Sequence, residues 1–255
     1  MLSIKNLTVK VDDKIILNDF NLSIKDGEVH VIMGPNGVGK STLTKAIMKD
    51  KNYKIISGDI IYDGNRINDM KTDEVARLGV FLAMQNPIEI DGVTNLDFLR
   101  TALSSNDKSI NLYSFMKETE TEVKSLQMTS DMLNRSLNKG FSGGEKKKNE
   151  ILQMKILKPN FIILDEIDSG VDVDSLKVIS KNINDYKQEN KKSSYLIITH
   201  YTHLLKYIKP DYVHTLKDGK IFLTGDYSLA KKIEENGFNF DDIMSNANDG
   251  CDKVE

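Results

Sequence analysis

Nine consecutive residues near the amino terminus combine glycines, a lysine and two hydroxyls at the spacing that binding of a phosphate chain requires. They read GPNGVGKST and satisfy the pattern G-x-x-x-x-G-K-[ST], between a predicted strand, EVHVIM, and a predicted helix. Glycines let backbone N–H groups turn toward the phosphates, a helix amino terminus adds partial positive charge, and the lysine neutralises phosphate charge. We therefore predict that these residues bind a nucleotide: Gly34, Pro35, Asn36, Gly37, Val38, Gly39, Lys40, Ser41 and Thr42.

Residues 161–166, FIILDE, deliver two carboxylates from the end of an apolar segment. The run FIILD is typical of a strand that is buried on both faces of a parallel sheet. We expect Asp165 to bind magnesium together with the Ser41 hydroxyl, and Glu166 to accept a proton from a water that attacks the γ-phosphate. Such a strand is common by itself, and it points to chemistry here because it follows a phosphate loop.

A third segment, FSGGEKKKNEILQM at residues 141–154, joins two glycines to a lysine run and an apolar stripe. Ser142 and Glu145 match a capping box, in which each side chain satisfies a free backbone N–H group of the other residue. Ile151, Leu152 and Met154 predict a buried face, and the three lysines predict a solvent-facing one. Taken alone, the pattern indicates a capped amphipathic helix.

The elements that must position these residues are short strands and helices in alternation. Predicted strands are LSIKNLTV, KIIL, NLSI, EVHVIM, IIYDG, VFLAM, FIILD, YLIIT and a hairpin around Asp218-Gly219. Predicted helices cover Lys40–Met48, much of Thr94–Leu137, Val173–Tyr186 and a last segment after the hairpin. We predict an α/β core with an antiparallel β portion near the amino terminus and a helical subdomain inserted at about 94–157. Residues 1–237 are expected to form one domain, followed by a weakly structured acidic tail at 238–255.

Composition excludes several classes of partner and site. The 255 residues carry 35 basic and 38 acidic side chains, a formal net charge of −3, so the chain has no electrostatic signature of binding to nucleic acid or to an anionic membrane. The single cysteine, Cys251, allows neither a disulfide framework nor a four-thiolate metal cluster. No segment approaches the roughly eighteen uninterrupted apolar residues of a membrane span, and we expect a soluble chain without direct membrane insertion.

In this order the motifs resemble those of the ATP-binding-cassette (ABC) ATPases. The resemblance implies ATP and Mg²⁺ as cofactors, and it identifies Gln85 after VFLAM as the Q-loop and His200 after YLIIT as the switch histidine. It implies catalytic roles for Lys40, Gln85, Glu166 and His200, and metal binding by Ser41, Gln85 and Asp165. An isolated glutamine or histidine is more often structural, so these assignments depend on the order of the whole set.

FSGGE stands where this family carries its signature motif, which reaches the nucleotide held by a second subunit. The resemblance therefore implies that Ser142, Gly143 and Gly144 contact a partner's ATP, using the anion-binding property of a helix amino terminus. SGVD, residues 169–172, corresponds to the D-loop and adds Asp172 to the nucleotide-contacting residues. The implied assembly is a homodimer that ATP closes head to tail.

One mark of the family is missing. The family commonly stacks adenine on an aromatic side chain from the early strands, whereas the register before KIIL places Val11 at that position. We therefore expect weaker base stacking and a less secure preference for adenine over guanine.

The continuation of the signature, EKKKNEILQMKIL, departs from the Gln and arginine-rich run that is usual in transporter cassettes. Together with NPIEIDGV and YIKPDYVH it resembles the SufC-type ATPases of the SUF system of iron–sulfur cluster assembly, over residues 1 to about 235. Asn86 and Lys148 are minor departures. The resemblance implies SufB- and SufD-like scaffold proteins as partners, and a location in the bacterial cytoplasm or a plastid stroma. The lysine and asparagine bias would suit an AT-rich parasite plastid, the apicoplast.

Two other functional classes contain a nucleotide-binding domain of this kind. The ATP-binding subunit of a membrane ABC transporter shares all the nucleotide-binding motifs, and it would be recognised by a membrane permease as partner. A DNA-maintenance ATPase would need long heptad repeats or a basic face, and the sequence has neither.

A partner surface is predicted directly after the Q-loop. The segment NPIEIDGV begins with a proline-stiffened turn and places Ile88, Ile90 and Val93 among polar neighbours before a helix that starts near Thr94. These side chains either anchor a scaffold helix or pack on the core, since apolar residues among polar neighbours are often buried.

Overall fold

In a computed structural model, which describes residues 1–105, 110–238 and 252–253, the chain forms an α/β fold with a separate antiparallel sheet. The strands are β1 (Leu2–Val11), β2 (Lys14–Ile24), β3 (Val29–Met33), β4 (Tyr53–Tyr62), β5 (Asn65–Arg66), β6 (Val80–Ala83), β7 (Ile90–Thr94), β8 (Ser136–Leu137), β9 (Phe161–Asp165), β10 (Ser194–Ile198), β11 (Tyr212–Lys217), β12 (Lys220–Gly225) and β13 (Asp252–Lys253). The helices are α1 (Lys40–Ile47), α2 (Thr72–Arg77), α3 (Asn95–Ser104), α4 (Leu112–Ser125), α5 (Gly143–Leu157), α6 (Val173–Glu189) and α7 (Tyr227–Asn236). The predicted fold class is confirmed.

The central sheet brings the predicted site residues to one edge. Its strand order is β13-β12-β11-β3-β10-β9-β6, and β6, β9, β10, β3 and β11 all run parallel. Every residue of β3, β9 and β10 is buried, and successive residues such as Val31 and Ile32 point into two different apolar clusters. The phosphate loop follows β3, Asp165 ends β9 and His200 follows β10, and these three strands are neighbours in the sheet. Because the carboxyl ends of parallel strands lie at the same edge of a sheet, these residues meet there.

The amino-terminal sheet is antiparallel, with the order β2-β1-β4-β5. The sequence predicts KIIL and NLSI as two strands, and this is wrong because both belong to β2. The polar pair Asn18-Asp19 between them is a bulge: the pairing of β1 with β2 shifts there, and Asp19 takes a φ of 53°. A bulge inserts residues into one strand without ending it.

Three helices form the predicted insertion. Thr94 caps α3 by accepting a hydrogen bond from the Asp97 backbone N–H at 3.0 Å, and α3 and α4 both pack against α5. Leu99 and Phe115 are among the buried residues of these helices. The stretch predicted as helical up to Leu137 is interrupted by a 3₁₀ turn at Ser130–Leu133 and by β8.

Helix α5 does not have the lysine-rich solvent face that the sequence predicts. Lys147 is buried, and its Nζ donates to the carbonyl oxygens of Met84 at 2.8 Å and Gln85 at 2.7 Å. Asn149 and Glu150 are buried as well. The prediction is wrong because α5 packs against β6, α3, α4 and α6 and is covered on most of its circumference.

The predicted acidic tail, with Cys251, lies almost wholly outside the described residues. Within it, Asp252–Lys253 forms β13 and pairs with Leu223 and Thr224 of β12. Of the helices that the structure describes, none is both long enough and apolar enough to cross a bilayer.

Candidate active site

The phosphate loop joins the end of β3 to the start of α1. Gly39 precedes α1 with a φ of 110°, and a Cβ atom there would lie 2.7 Å from Leu17 Cδ2, so the turn requires glycine. The Nζ atom of Lys40 donates to the carbonyl oxygens of Gly34 at 2.8 Å and Pro35 at 2.9 Å. Burial lowers the pKa of Lys40. The lysine thus lies inside the loop, where its charge can meet a phosphate.

Asp165 leaves the end of β9 with one carboxylate oxygen engaged and one without a partner. Thr44 of α1 donates its hydroxyl to Oδ2 at 3.0 Å, whereas no described residue hydrogen-bonds to the buried Oδ1. Burial raises the pKa of Asp165. A buried carboxylate oxygen without a hydrogen bond is unusual in a folded protein, and it is the kind of ligand that Mg²⁺ prefers.

The donor set around Asp165 is compatible with magnesium. Ser41 and Gln85 line one cleft together with Glu166, the residue after Asp165, and both carry oxygen atoms. The amide N–H of Gln85 donates to Glu166, which leaves the amide oxygen for a cation. These residues are therefore the ones that would hold the ion.

Glu166 follows Asp165 in an uncommon backbone conformation. Its φ is 48°, in the left-handed region, which costs about 1–3 kcal/mol for such a residue and occurs mainly at functional sites. Its backbone N–H donates to the Ile198 carbonyl at 2.9 Å, and its Oε1 lies 3.0 Å from Nε2 of His200. Its Oε2 accepts the Gln85 amide N–H. The structure thus brings together Gln85, Glu166 and His200.

Most of these groups line a cleft of about 710 Å³, and Asp165 is not among its described lining residues. The lining residues that the sequence predicts are Asn36, Gly37, Gly39, Lys40, Ser41, Thr42, Gln85, Glu166 and His200. Gly34 and Pro35 instead act through the carbonyl oxygens that receive Lys40. Val11 also lines the cleft, together with Ile16, Tyr53, Ser169 and Tyr201, which the sequence analysis did not assign to it.

The signature residues do not line this cleft. Ser142 caps α5 and both arms of the predicted capping box are present, with Ser142 N–H donating to Glu145 at 2.7 Å and Glu145 N–H donating to Ser142 Oγ at 3.3 Å. The hydrogen bond from the Ser142 backbone lowers the pKa of Glu145. Ser142 and Gly143 are exposed, whereas Gly144 is partly buried.

Asp172 lies beside the signature. Its carboxylate caps α6 by accepting hydrogen bonds from the backbone N–H groups of Asp174 at 3.1 Å and Ser175 at 2.8 Å, which lowers its pKa. A Cβ atom on Gly144 would lie 3.6 Å from Asp172 Oδ2. The predicted residues therefore form two groups in one chain. One group lines the cleft, and the other consists of the signature residues and Asp172, which lie next to each other and do not line it.

Besides Ile16, Ser169 and Tyr201, sequence reasoning missed three contributions to the site. Thr44 hydrogen-bonds to Asp165, and its place one helical turn after Lys40 is a usable signal. Tyr53 belongs to β4, and only the pairing of β1 with β4 brings it to the cleft. Lys147 supports the Q-loop carbonyls, and no signal separates it from its two neighbouring lysines.

Comparisons with known proteins agree with this geometry. Residues 17–169 match the ABC transporter family. A probable ABC transporter ATP-binding protein of Streptococcus pyogenes is 49% identical over 241 residues, which cover 93% of both chains. The probable ATP-dependent transporter ycf16 of Antithamnion sp. is 48% identical, over 94% of this chain and 97% of its own. The dimeric post-hydrolysis structure of the ATP-binding cassette MJ0796 with ADP and Pi has the same fold, with a TM-score of 0.76 at 24% identity over 89% of this chain and 98% of that one. The chain therefore belongs to the ABC transporter family, as one of its ATP-binding ATPases.

Proposed function

We propose that two copies of this chain close head to tail on ATP, and that closure and hydrolysis rearrange a SufB–SufD-like scaffold during iron–sulfur cluster assembly in a bacterial cytoplasm or plastid stroma. The observation that carries the dimer is the separation of the exposed Ser142 and Gly143 from the cleft of their own chain. An exposed helix amino terminus is suited to bind a phosphate that another subunit holds.

In the proposed reaction each side chain of the cleft has one task. Lys40 and the loop N–H groups bind the phosphates, Glu166 accepts the proton of the attacking water, and His200 holds the carboxylate through its 3.0 Å contact. Magnesium, when bound, supplies positive charge to the phosphate oxygens. Gln85 contacts Glu166 and directly precedes the segment NPIEIDGV, for which a partner contact is predicted. A change at the γ-phosphate can therefore be transmitted through Gln85 to that segment.

Lys147 supports this coupling. It stands in the helix whose amino terminus carries the signature, and it donates to the Met84 and Gln85 carbonyl oxygens. Movement of α5 on closure would therefore displace the Q-loop through a buried, charge-assisted hydrogen bond.

The segment after the Q-loop is the proposed scaffold contact. Ile88 is 59% exposed and Ile90 37% exposed, so these two side chains do not pack on the core. Their neighbours are held in place, because Lys146 pairs with Glu89 at 2.6 Å and Asn138 donates to the Ile88 carbonyl at 2.9 Å. Two apolar side chains on an anchored segment are typical of a protein-binding surface.

A mainly apolar groove of about 710 Å³ lies between the core and the helices and borders the Q-loop at Met84. Met48, Phe81 and Phe98 line it. Its charged lining residues are Lys45, Lys49 and Lys51 against Asp50 and Glu150, an excess of positive charge. Such a groove suits an amphipathic helix with acidic residues on its polar face, which is the proposed form of the scaffold element.

The alternative function is the ATP-binding subunit of a membrane transporter. The names of the Streptococcus and Antithamnion relatives favour it, since both contain the word transporter. Against it, the signature continuation EKKKNEILQM differs from the usual transporter pattern.

Affinity purification of the full chain from its native source, followed by identification of co-purifying proteins, separates the two functions. We expect scaffold proteins of the SufB and SufD type. Recovery of a membrane permease in their place would overturn the proposal in favour of the transporter.

A further inference from the structure

Val11 stands where an aromatic side chain is expected, and the residue paired with it on the neighbouring strand is aromatic. In the antiparallel pairing of β1 with β4, Val11 is the partner of Tyr53. Paired residues of an antiparallel ladder point to the same face with Cβ atoms about 4.5–5.5 Å apart. Val11 and Tyr53 accordingly both line the nucleotide cleft, together with Ile16.

Tyr53 is held in place from two sides. It is the first residue of β4, and its backbone N–H donates to the Asp50 carbonyl at 3.0 Å. Its half-buried side chain packs against the apolar cluster beneath the amino-terminal sheet, which contains Val9 and Leu17. The ring therefore has one part fixed on the core while another part borders the cleft.

We infer that Tyr53 supplies the surface on which the base of the nucleotide stacks, in place of an aromatic residue at position 11. The inference rests on ATP binding in the cleft and adds a specificity-determining residue to it. If Tyr53 stacks the base, stacking would be stronger than Val11 alone predicts, because that expectation considered β1 alone. A tyrosine face accepts any base, so the contribution extends to guanine as well as adenine.

Tyr201 is the second tyrosine among the described residues that line the cleft, and it is the competing candidate. It follows His200 directly and is 53% exposed. Unlike Tyr53, it does not belong to the apolar cluster that would brace a stacking ring.

The test compares a nucleotide with its phosphate chain alone. Titration calorimetry on the full chain measures binding of ATP, GTP and inorganic tripolyphosphate, each with Mg²⁺, to the wild type, Tyr53→Ala and Tyr53→Phe. Loss of stacking weakens binding by roughly 5- to 150-fold. We expect that loss for ATP and GTP in Tyr53→Ala, unchanged tripolyphosphate binding, and near-normal nucleotide binding in Tyr53→Phe. Tyr113→Ala, at a position 77% exposed on α4, is the matched control.

Four results would overturn the inference: unchanged ATP affinity in Tyr53→Ala, an equal loss of ATP and tripolyphosphate, the selective loss appearing in Tyr201→Ala instead, or equal binding of tripolyphosphate and ATP by the wild type. Thermal unfolding monitored by circular dichroism checks that each variant is folded. If the wild type bound tripolyphosphate and ATP equally, no base subsite would exist. If the wild type bound neither, the nucleotide site itself would be refuted, which is a distinct outcome.

Discussion

Glu166 and His200 are in direct contact in the cleft, with Oε1 of the carboxylate 3.0 Å from Nε2 of the imidazole. The other carboxylate oxygen accepts the amide N–H of Gln85. Both oxygens are therefore positioned by side chains from the ends of two other strands, β6 and β10. These two contacts fix the orientation of the carboxylate, as the acceptance of a proton from a positioned water requires.

Glu166→Gln should bind ATP and lose most of its hydrolysis. The substitution keeps the size of the side chain and removes the proton acceptor, and a positioned base contributes roughly 10²–10⁴-fold to rate. Phosphate release assays measure turnover, and titration calorimetry measures binding. Lys40→Ala is the contrasting variant, with impaired binding. Normal turnover by Glu166→Gln would show that another group is the base.

The ATP-dependent dimer should require the signature. We expect the Glu166→Gln protein to be monomeric without nucleotide and dimeric with ATP and Mg²⁺, as light scattering reports. Ser142→Arg places a long cation at the exposed amino terminus of α5 and should abolish the dimer. Thr121→Arg, on the exposed face of α4, is a matched control that should still dimerise. A dimer that persisted in Ser142→Arg would place the interface elsewhere.

The scaffold contact should be lost without loss of folding when Ile88 and Ile90 are both replaced by Asp. Both side chains are exposed, so the melting temperature and ATP binding should stay near those of the wild type. Ile15→Asp with Ile56→Asp is the matched control, because these isoleucines are 60% and 57% exposed on the antiparallel sheet. Co-purification with the scaffold is the measurement. Retained binding in the first double variant would move the partner surface, and unfolding would show that the segment packs on the core.

The parts of the site that the sequence predicts are those encoded by a strand and the residues directly after it. The phosphate loop GPNGVGKST follows β3, FIILDE contains the end of β9, and YLIITH contains the end of β10. Local pattern and sheet topology together therefore place Lys40, Asp165 and His200 at one edge. The family resemblance added Gln85, which lies in contact with Glu166.

The unpredicted features depend on contacts between distant segments. Tyr53 reaches the cleft through the register of β1 with β4, which hydrophobic periodicity does not specify. Lys147 resembles two neighbouring lysines in sequence and differs only because α5 is packed on several sides. The sequence predicts two strands around Asn18-Asp19 because consecutive polar residues are also typical of a turn, and the pattern does not distinguish a turn from a bulge.

A chain of hydrogen bonds around two buried histidines joins three strands of the central sheet, β3, β11 and β12. The Glu28 carboxylate can only accept, so His30 donates to it from Nε2 at 3.0 Å and accepts at Nδ1 from His214 Nε2 at 2.9 Å. His214 Nδ1 then accepts the Thr224 hydroxyl at 2.9 Å. Both histidines are buried and are neutral in this arrangement.

This row of hydrogen bonds predicts that the free energy of unfolding decreases as the pH falls below about 6.5. Burial lowers the pKa of His30, and burial followed by the charge of His30 lowers the pKa of His214 to about 3. Unfolded histidines take up protons near pH 6.5 whereas the folded pair does not, so the stabilisation is complete above that pH and is lost as pH falls toward the folded pKa values. Each histidine contributes up to about 1.4 kcal/mol per pH unit. Urea unfolding at several pH values between 7.5 and 5 measures the slope, and His214→Gln should reduce it. An equal slope in the variant would show that other groups, with the Glu28 and Asp211 carboxylates beside His30 first among them, set the acid stability.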